Sequence, residues 1–485
     1  MTSAVLETAL GRELAASLRP DQLIVEPEQL RTYECDGLTS HRVIPALVAL
    51  PETAPQVQAV VRACNAHSVP FVARGAGSGL SGGAVPVAEG IVISLARMSR
   101  VLAVDLEAGE IVVEPGVANL DVTRAVAGEG FYYAPDPSSQ QVCTIGGNVA
   151  ENSGGAHCLK YGFTVNHVLA ADIVLPDGEL VELSVWDEGP DLLGAFIGSE
   201  GTLGIATRLT LRILRAPAAV RTLLAGFAHT DEAGEAVSQI IAEGITPAAI
   251  EMMDAIAIEA ATAAVAPDYP PDCGAVLIVE LDGPAAQVED DLAVVERVCG
   301  RRGARDCRMA SDPADRARIW RGRKAAFAAM GRVSPDYYVQ DGVVPRTKLP
   351  LLMRRIEELS AEHGLRVGNV FHAGDGNLHP LVLYDARIAG QPERAQALAE
   401  LILEACVDAG GTITGEHGVG MDKACAMPLL FNESDLEAMS RLRAAFDPRG
   451  LANPGKVFPT PRLCGEVPGP YRAHPLERAG LAERF

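Results

Sequence analysis

The chain has 485 residues, 48% of them hydrophobic, more than one compact core ordinarily holds, so at least two domains are expected. Its net charge of −22 disfavours nucleic acid and anionic membrane surfaces, and an anionic substrate would need a local basic pocket. No apolar run reaches the roughly 18 residues of a membrane span, and the ten cysteines stand singly, without a C-x-x-C pair for zinc or an iron–sulfur cluster, so they read as reduced thiols of a cytoplasmic protein.

Residues 1–20 read as an amphipathic helix without the basic start and apolar core of a signal peptide. From Ala46 to about Leu214, short apolar strands (Pro70–Arg74, Ile91–Leu95) alternate with helices (Asn119–Ala127) and glycine-rich turns. Val101–Leu106 and Glu110–Glu114 flank the Gly109 turn, and Ala170–Leu175 and Leu180–Leu183 flank Pro176-Asp177-Gly178. Both pairs predict hairpins, which argues against a purely parallel sheet. From about Thr222 to Gly420 a strand at Ala275–Glu280 is mixed with amphipathic helices over Asp290–Cys299, Leu349–His363 and Gln391–Ala409. A last helix is expected over Glu433–Phe446.

Gly77-Ser78-Gly79-Leu80-Ser81-Gly82 spells G-x-G-x-x-G after a strand. A Rossmann loop must open a helix, and Gly83, Pro86 and Gly90 leave no room for one. The loop instead suits a nest of backbone N–H groups around a phosphate, against the plainer reading of a ligand-free turn. Two further glycine clusters, Thr144–Gly155 and Gly198–Ile205, would let a flat ligand lie against the backbone while Thr, Asn and Ser bond its polar rim; an isoalloxazine ring fits.

In these three segments the chain resembles the FAD-linked family of the vanillyl-alcohol oxidase / p-cresol methylhydroxylase type, in the right order over residues 40–459. Within it, the nearest resemblance is to glycolate oxidase D subunits, beside cytochrome-linked D-lactate dehydrogenases and D-2-hydroxyglutarate dehydrogenases. The resemblance implies an α+β fold: a two-subdomain FAD-binding domain of p-cresol methylhydroxylase type plus an α/β substrate (cap) domain. The expected division is 1–221 for the FAD domain with its N-terminal helix, 222–420 for the cap, 421–459 for a helical segment returning to the FAD domain, and 460–485 for a tail. It further implies that Arg74, Gly75, Gly77, Ser78, Gly79 and Leu80 hold the FAD pyrophosphate, and that Thr144, Gly147, Asn148 and Asn152 line the flavin. Gly201, Gly204 and Ile205 would lie along the nucleotide, with Asp136, Gly155, Glu200 and Asn453 also in the cofactor site. Relatives that attach flavin covalently carry a histidine where Ser78 stands, so FAD is expected to be non-covalent.

His372-Ala373-Gly374-Asp375-Gly376-Asn377-Leu378-His379 is too turn-rich for a helix and predicts two histidines on either side of a tight reversal. Thr414-Gly415-Glu416-His417-Gly418 sets a carboxylate beside a histidine. Two His and one Glu match an open divalent site for Zn, Mn or Fe; catalytic or hydrogen-bonded core histidines without metal are the alternative. The resemblance implies His372, His379 and Glu416 as metal ligands and His417 as general base, with Asp375 and Asn377 supporting the ligands or forming the turn.

Ile319-Trp320-Arg321-Gly322-Arg323-Lys324 is a basic cluster in an acidic chain. One arginine can grip a carboxylate through two bonds, and the resemblance assigns this to Arg323; Arg321 and Lys324 read equally as an exposed basic helix start. Around Tyr338-Val339-Gln340-Asp341 the lysine of D-2-hydroxyglutarate dehydrogenases is missing, which disfavours a dicarboxylate. The implied activity is oxidation of a small D-2-hydroxy acid, glycolate or D-lactate, to the 2-oxo acid. Alternatives are a D-lactate or D-2-hydroxyglutarate dehydrogenase acting alone, an oxygen-using flavin oxidase, and a non-catalytic FAD-binding subunit that would lack the His/Glu/Arg set. Reduced FAD needs an outside acceptor, and the resemblance implies an iron–sulfur subunit and a second flavin subunit, with peripheral placement at the inner membrane through them. The tail is expected either to dock on such a partner or to stay disordered.

Overall fold

The computed structural model describes residues 5–459, so the expected tail and its docking lie outside the described residues. The chain forms two compact units: residues up to Ser153, Phe163–Arg215 and those from Glu416 on in the first, Gly154–Gly162 and Ala216–Gly415 in the second. Nothing in the sequence announces the excursion of 154–162.

In the first unit β1 (Leu23–Ile24), β2 (Leu47–Ala49), β3 (Phe71–Arg74) and β4 (Ile91–Ser94) form a sheet in the order β1-β2-β4-β3. Strands β2, β4 and β3 are parallel, and β1 is antiparallel to β2. The crossover helix Ala54–His67 begins at Thr53, whose hydroxyl accepts the Gln56 N–H. Its Val57, Val60, Val61 and Cys64 recur at helical spacing and bury against this sheet. Among the described residues the N-terminal helix spans Ala9–Ser17. A second, antiparallel sheet takes β5 (Val101–Asp105), β6 (Glu110–Val113), β8 (Val168–Val174), β9 (Leu180–Ser184) and β10 (Ile205–Arg212) in the order β5-β6-β10-β8-β9. Both hairpins expected from the turn residues are present, with Gly109 and Gly178 at φ 72° and 88°. Short β7 (Phe131–Tyr132) pairs with β11 (Leu214–Arg215).

The second unit is built on one eight-stranded sheet: β12 (Ala219–Phe227), β13 (Ala249–Asp254), β14 (Ala275–Gly283), β15 (Asp306–Met309), β16 (Asp336–Val339), β17 (Gly342–Val343), β18 (Val367–His372) and β19 (Asn377–Tyr384). The order is β15-β12-β14-β13-β18-β19-β16, with β17 also on β19, and every pair is antiparallel. Helix Thr230–Ala242 packs against both Ala285–Arg301 and Leu349–His363, and the latter against Gln391–Asp408; helix Ala255–Val265 packs with Pro313–Ala329. Cys35, Cys64, Cys143, Cys158, Cys273, Cys299, Cys307 and Cys406 are thiols, as expected, whereas Cys425 departs from that expectation and is disulfide-bonded.

Asp254 starts helix Ala255–Val265: its Oδ1 accepts the Ala257 N–H at 2.9 Å, and Oδ2 accepts the Asn369 N–H and Nδ2 at 2.8 and 2.9 Å. Burial outweighs these bonds and raises its carboxyl from 3.8 to about 6. The folded chain keeps the proton where the unfolded chain releases it, so the contribution is full below 3.8 and lost as pH rises through about 6. Asp254→Asn cannot titrate. Its stability relative to the parent should improve between these pH values by about 3 kcal/mol, read as a pH-dependent difference in melting temperature. A difference that does not change with pH rejects this assignment.

Candidate active site

In the first unit the three glycine segments converge. A Cβ on Gly75 would sit 2.3 Å from Thr144 Oγ1, and one on Gly77 would sit 2.1 Å from Arg74 Nη2, so packing within the protein requires these two glycines. Gly79 and Gly147 differ. Their nearest neighbours would lie 3.9 and 3.5 Å away, and neither is among the residues of positive φ. Protein packing leaves room for a side chain at both, as backbone that approaches a ligand closely would. Arg74 is buried, with Nη1 on the Ala84 carbonyl at 3.2 Å. Ser78 and Leu80 are half-buried in the same loop, which stays irregular between β3 and β4.

Thr144 caps the short helix Ile145–Glu151. Asn148 is buried and accepts Asn119 Nδ2 at 3.0 Å; Asn119 also holds the Pro135 carbonyl, next to half-buried Asp136. Asn152, at φ 50°, accepts the Val165 N–H through its side chain. Gly155 belongs to the second unit. In the third segment Gly201 and Gly204 have φ of 71° and 150°, and Ile205 opens β10. Asn453 joins segments: its Nδ2 donates to the Gly83 and Glu200 carbonyls at 3.0 and 2.6 Å, and its N–H to the Phe71 carbonyl at 2.8 Å.

Glu200 holds a left-handed backbone, φ 53°, uncommon for a non-glycine residue. Its buried carboxylate accepts the Val419 N–H at 2.7 Å and the Gly420 N–H at 2.6 Å. The side chain of this expected cofactor residue thus clamps the loop that carries Glu416 and His417, whose Oε1 and Nε2 lie 3.8 Å apart. Burial drives the Glu200 carboxyl above its ordinary range against those two donors. Burial likewise lowers Lys456 to about 8, although Asp36 and Glu200 pull the other way. The Lys456 ammonium donates to the Val85 carbonyl at 2.8 Å.

In the second unit, sheet register decides which residues meet. Thr222 pairs with Glu280, Ala249 with Glu280, Glu251 with Ile278 and with His372, and Val370 with His379. Side chains alternate across a sheet, so Thr222, Glu280, Glu251, His372 and His379 all fall on one face. The histidines sit across the predicted reversal, with ring centroids 5.0 Å apart at 89°, and both are buried. His372 Nδ1 is 2.8 Å from Glu251 Oε1. His379 Nδ1 is 3.7 Å from Asp341 Oδ1, and the other oxygen of Asp341 accepts the Thr414 hydroxyl at 2.6 Å and the Gly415 N–H at 2.9 Å.

Helix Pro313–Ala329 covers this face with Arg316, Trp320 and Arg323, spaced four and three apart on one stripe. Arg316 Nε and Trp320 Nε1 donate to Glu280 Oε2 at 2.8 and 2.7 Å, and Thr222 adds its hydroxyl at 2.6 Å. His157, stacked on Trp320 with centroids 5.7 Å apart, lies 3.2 Å from Glu280 Oε1. Arg323 is 2% exposed. Its Nη2 is 2.6 Å from Glu251 Oε2, yet Nε and Nη2 have no hydrogen-bond acceptor among the described residues. Arg321 and Lys324 are exposed, as in their plainer reading, but they lie within helix Pro313–Ala329 and not at its start.

Sequence reasoning missed Glu251, Glu280 and Asn119, and named Asp341 only as part of a stretch that lacks a lysine. The signal for the two glutamates was a lone carboxylate inside an apolar strand, in Ala-Ile-Glu251-Met-Met and Leu-Ile-Val-Glu280-Leu.

Two family descriptions match the chain: "FAD binding domain" over residues 45–184 and "FAD linked oxidases, C-terminal domain" over 216–457. Glycolate oxidase subunit GlcD of Escherichia coli (strain K12) is 47% identical over 448 residues, 92% of this chain and 90% of the relative. The protein of the same name from Bacillus subtilis is 38% identical over 88% of this chain and 92% of its own length. D-lactate dehydrogenase of Anaerostipes hadrus is 32% identical over 91% and 95%. Among solved structures, p-cresol methylhydroxylase with substrate bound shares the fold, with a TM-score of 0.77 at 17% identity over 92% of this chain and 95% of that one.

Burial opposes ionisation of Glu280, but bonds from His157 and Arg316 hold its carboxyl well below the usual range. Glu280→Ala would strand several buried donors and should cost about 3 kcal/mol or more in urea unfolding. A loss under about 1 kcal/mol would show that the network is dispensable.

Proposed function

The chain belongs to the FAD-linked oxidases, and from that premise we propose that it oxidises a small D-2-hydroxy acid, glycolate or D-lactate, to the 2-oxo acid. The observation that carries this reading is Arg323, a fully enclosed guanidinium with two donors lacking hydrogen-bond acceptors, on the same sheet face as paired imidazoles. A buried arginine fork with donors to spare suits a carboxylate. The stretch Tyr338-Val339-Gln340-Asp341 carries no lysine to serve a second substrate carboxylate, which favours a monocarboxylic acid.

Bound FAD supplies the two-electron acceptor, and a divalent ion supplies positive charge against the substrate oxygens. The donor set fits such an ion: two buried imidazoles, one with its Nδ1 held by a carboxylate, which makes Nε2 its lone-pair nitrogen. His372, His379 and Glu416 are the proposed ligands, and Zn, Mn and Fe suit them. Arg323 grips the substrate carboxylate and thereby orients C2. His417 takes the hydroxyl proton as the C2 hydrogen leaves with its electron pair, so the alcohol becomes a carbonyl, an aldehyde from glycolate or a ketone from D-lactate. Electrons then pass out of the protein, and an iron–sulfur subunit with a second flavin subunit is the proposed recipient, in keeping with the subunit status of the glycolate oxidase relatives.

Anaerobic mixing with hydroxy acids should bleach the flavin with the D-acids or glycolate and not with L-lactate. His417→Asn should retain FAD and lose on the order of 10²-fold in reduction rate. Bleaching by L-lactate alone, or an unchanged rate in the variant, overturns the reading.

The cradle is proposed to hold FAD without a covalent bond, since Ser78 offers no imidazole. Acid precipitation should release the yellow chromophore to the supernatant. Colour kept in the pellet would refute this.

A further inference from the structure

Glu251 has no exposed side-chain surface, and no role has yet been given to it beyond its contacts. A carboxylate there carries a heavy desolvation penalty unless both oxygens are engaged. Oε1 lies 2.8 Å from His372 Nδ1, and Oε2 lies 2.6 Å from Arg323 Nη2. The first contact is built by the backbone, because Glu251 and His372 are cross-strand partners. The second comes from helix Pro313–Ala329 lying over the same face. Its geometry gives Coulomb attraction without a hydrogen bond, so the charge is compensated while Nε and Nη2 keep their donors.

We infer that Glu251 is a positioning residue that sets two functions at once: the imidazole of His372 for the metal ion, and the guanidinium of Arg323 for the substrate carboxylate. This rests on the functional reading above. One carboxylate serves both because its two oxygens face opposite partners. A carboxamide cannot: with its oxygen accepting from His372, its NH2 faces the Arg323 guanidinium, and no negative charge remains to attract it. The metal-binding and acid-binding halves of the site are therefore coupled through a single side chain.

The test uses the full FAD-loaded protein. Metal affinity is measured by titrating Zn2+ and Mn2+ into chelated protein against a chromophoric chelator, and KM and kcat are measured with glycolate and D-lactate. Flavin absorbance and melting temperature report folding. Glu251→Gln should weaken metal binding by about 10- to 100-fold and also raise KM at least about tenfold, with kcat less affected. Arg323→Lys should raise KM and leave metal affinity within about twofold. Glu251→Asp, which keeps the charge on a shorter stem, should show the same paired change at smaller size, and it decides the matter if the Gln variant does not fold. A change in only one of the two quantities, in a parent that binds metal and responds to Arg323→Lys, overturns the inference and leaves the functional reading standing. A parent that binds no metal, or whose KM ignores Arg323→Lys, overturns both.

Discussion

A carboxylate placed inside an apolar sheet must gather donors from whatever surrounds it, and Glu280 gathers them from three separate stretches of chain. Thr222 comes from the neighbouring strand, Arg316 and Trp320 from the covering helix, and His157 from the excursion 154–162. The cost of leaving that charge unpaired is several kcal/mol, larger than any one of the bonds contributes by itself. The helix is thereby fixed in rotation over the sheet. Arg323 follows Trp320 by three residues on the same stripe, so its direction over β13 is inherited from the anchoring of Glu280. Glu251, two strand positions from the partner of Glu280, then meets Arg323 and His372 without further adjustment.

Much of the framework was legible in the chain. Gly83, Pro86 and Gly90 leave no room for a Rossmann helix, and the chain between β3 and β4 is indeed irregular; the turn-rich Gly374–Asn377 does place His372 and His379 across a reversal. Helices Leu349–His363 and Glu433–Phe446 fall where they were expected, the first from its apolar periodicity. Register was not legible. The alternation of β13 and β14 says that Glu251 and Glu280 interrupt apolar faces, but only the pairing of Ala249 with Glu280 says that the two faces are the same one. Long-range closure was hidden for the same reason: no local pattern reveals that Glu200 reaches Val419 and Gly420, or that 154–162 leaves the first unit.

The first unit concentrates buried charge where its segments meet. Glu200, Lys456 and Asp36 are enclosed together, and Glu151 beside them is driven well above the ordinary carboxyl range by burial and by Glu200 and Asp36. Left-handed backbone at Glu200, Asn453 and Val457 accompanies this cluster, each an arrangement that the surrounding bonds must hold. Such a site keeps its shape only while all of its segments are present, which suits a cradle that has to present backbone groups to a large ligand in a fixed pattern.

That dependence has a consequence for biosynthesis. β3 ends its sheet, and its outer edge is covered at Phe71 by Leu451 and Asn453, whose backbone groups bond it from 380 and 382 residues further along the chain. At ribosomal speeds of about 5–20 residues per second, that cover arrives tens of seconds after β3 has emerged. The 200 residues from Ala216 to Gly415 are contiguous and are synthesised in the interval, so the second unit is free to form first. Until residue 453 is released, the nascent protein carries an open strand edge of Phe71-Val72-Ala73, the kind of surface that recruits chaperones or neighbouring nascent chains.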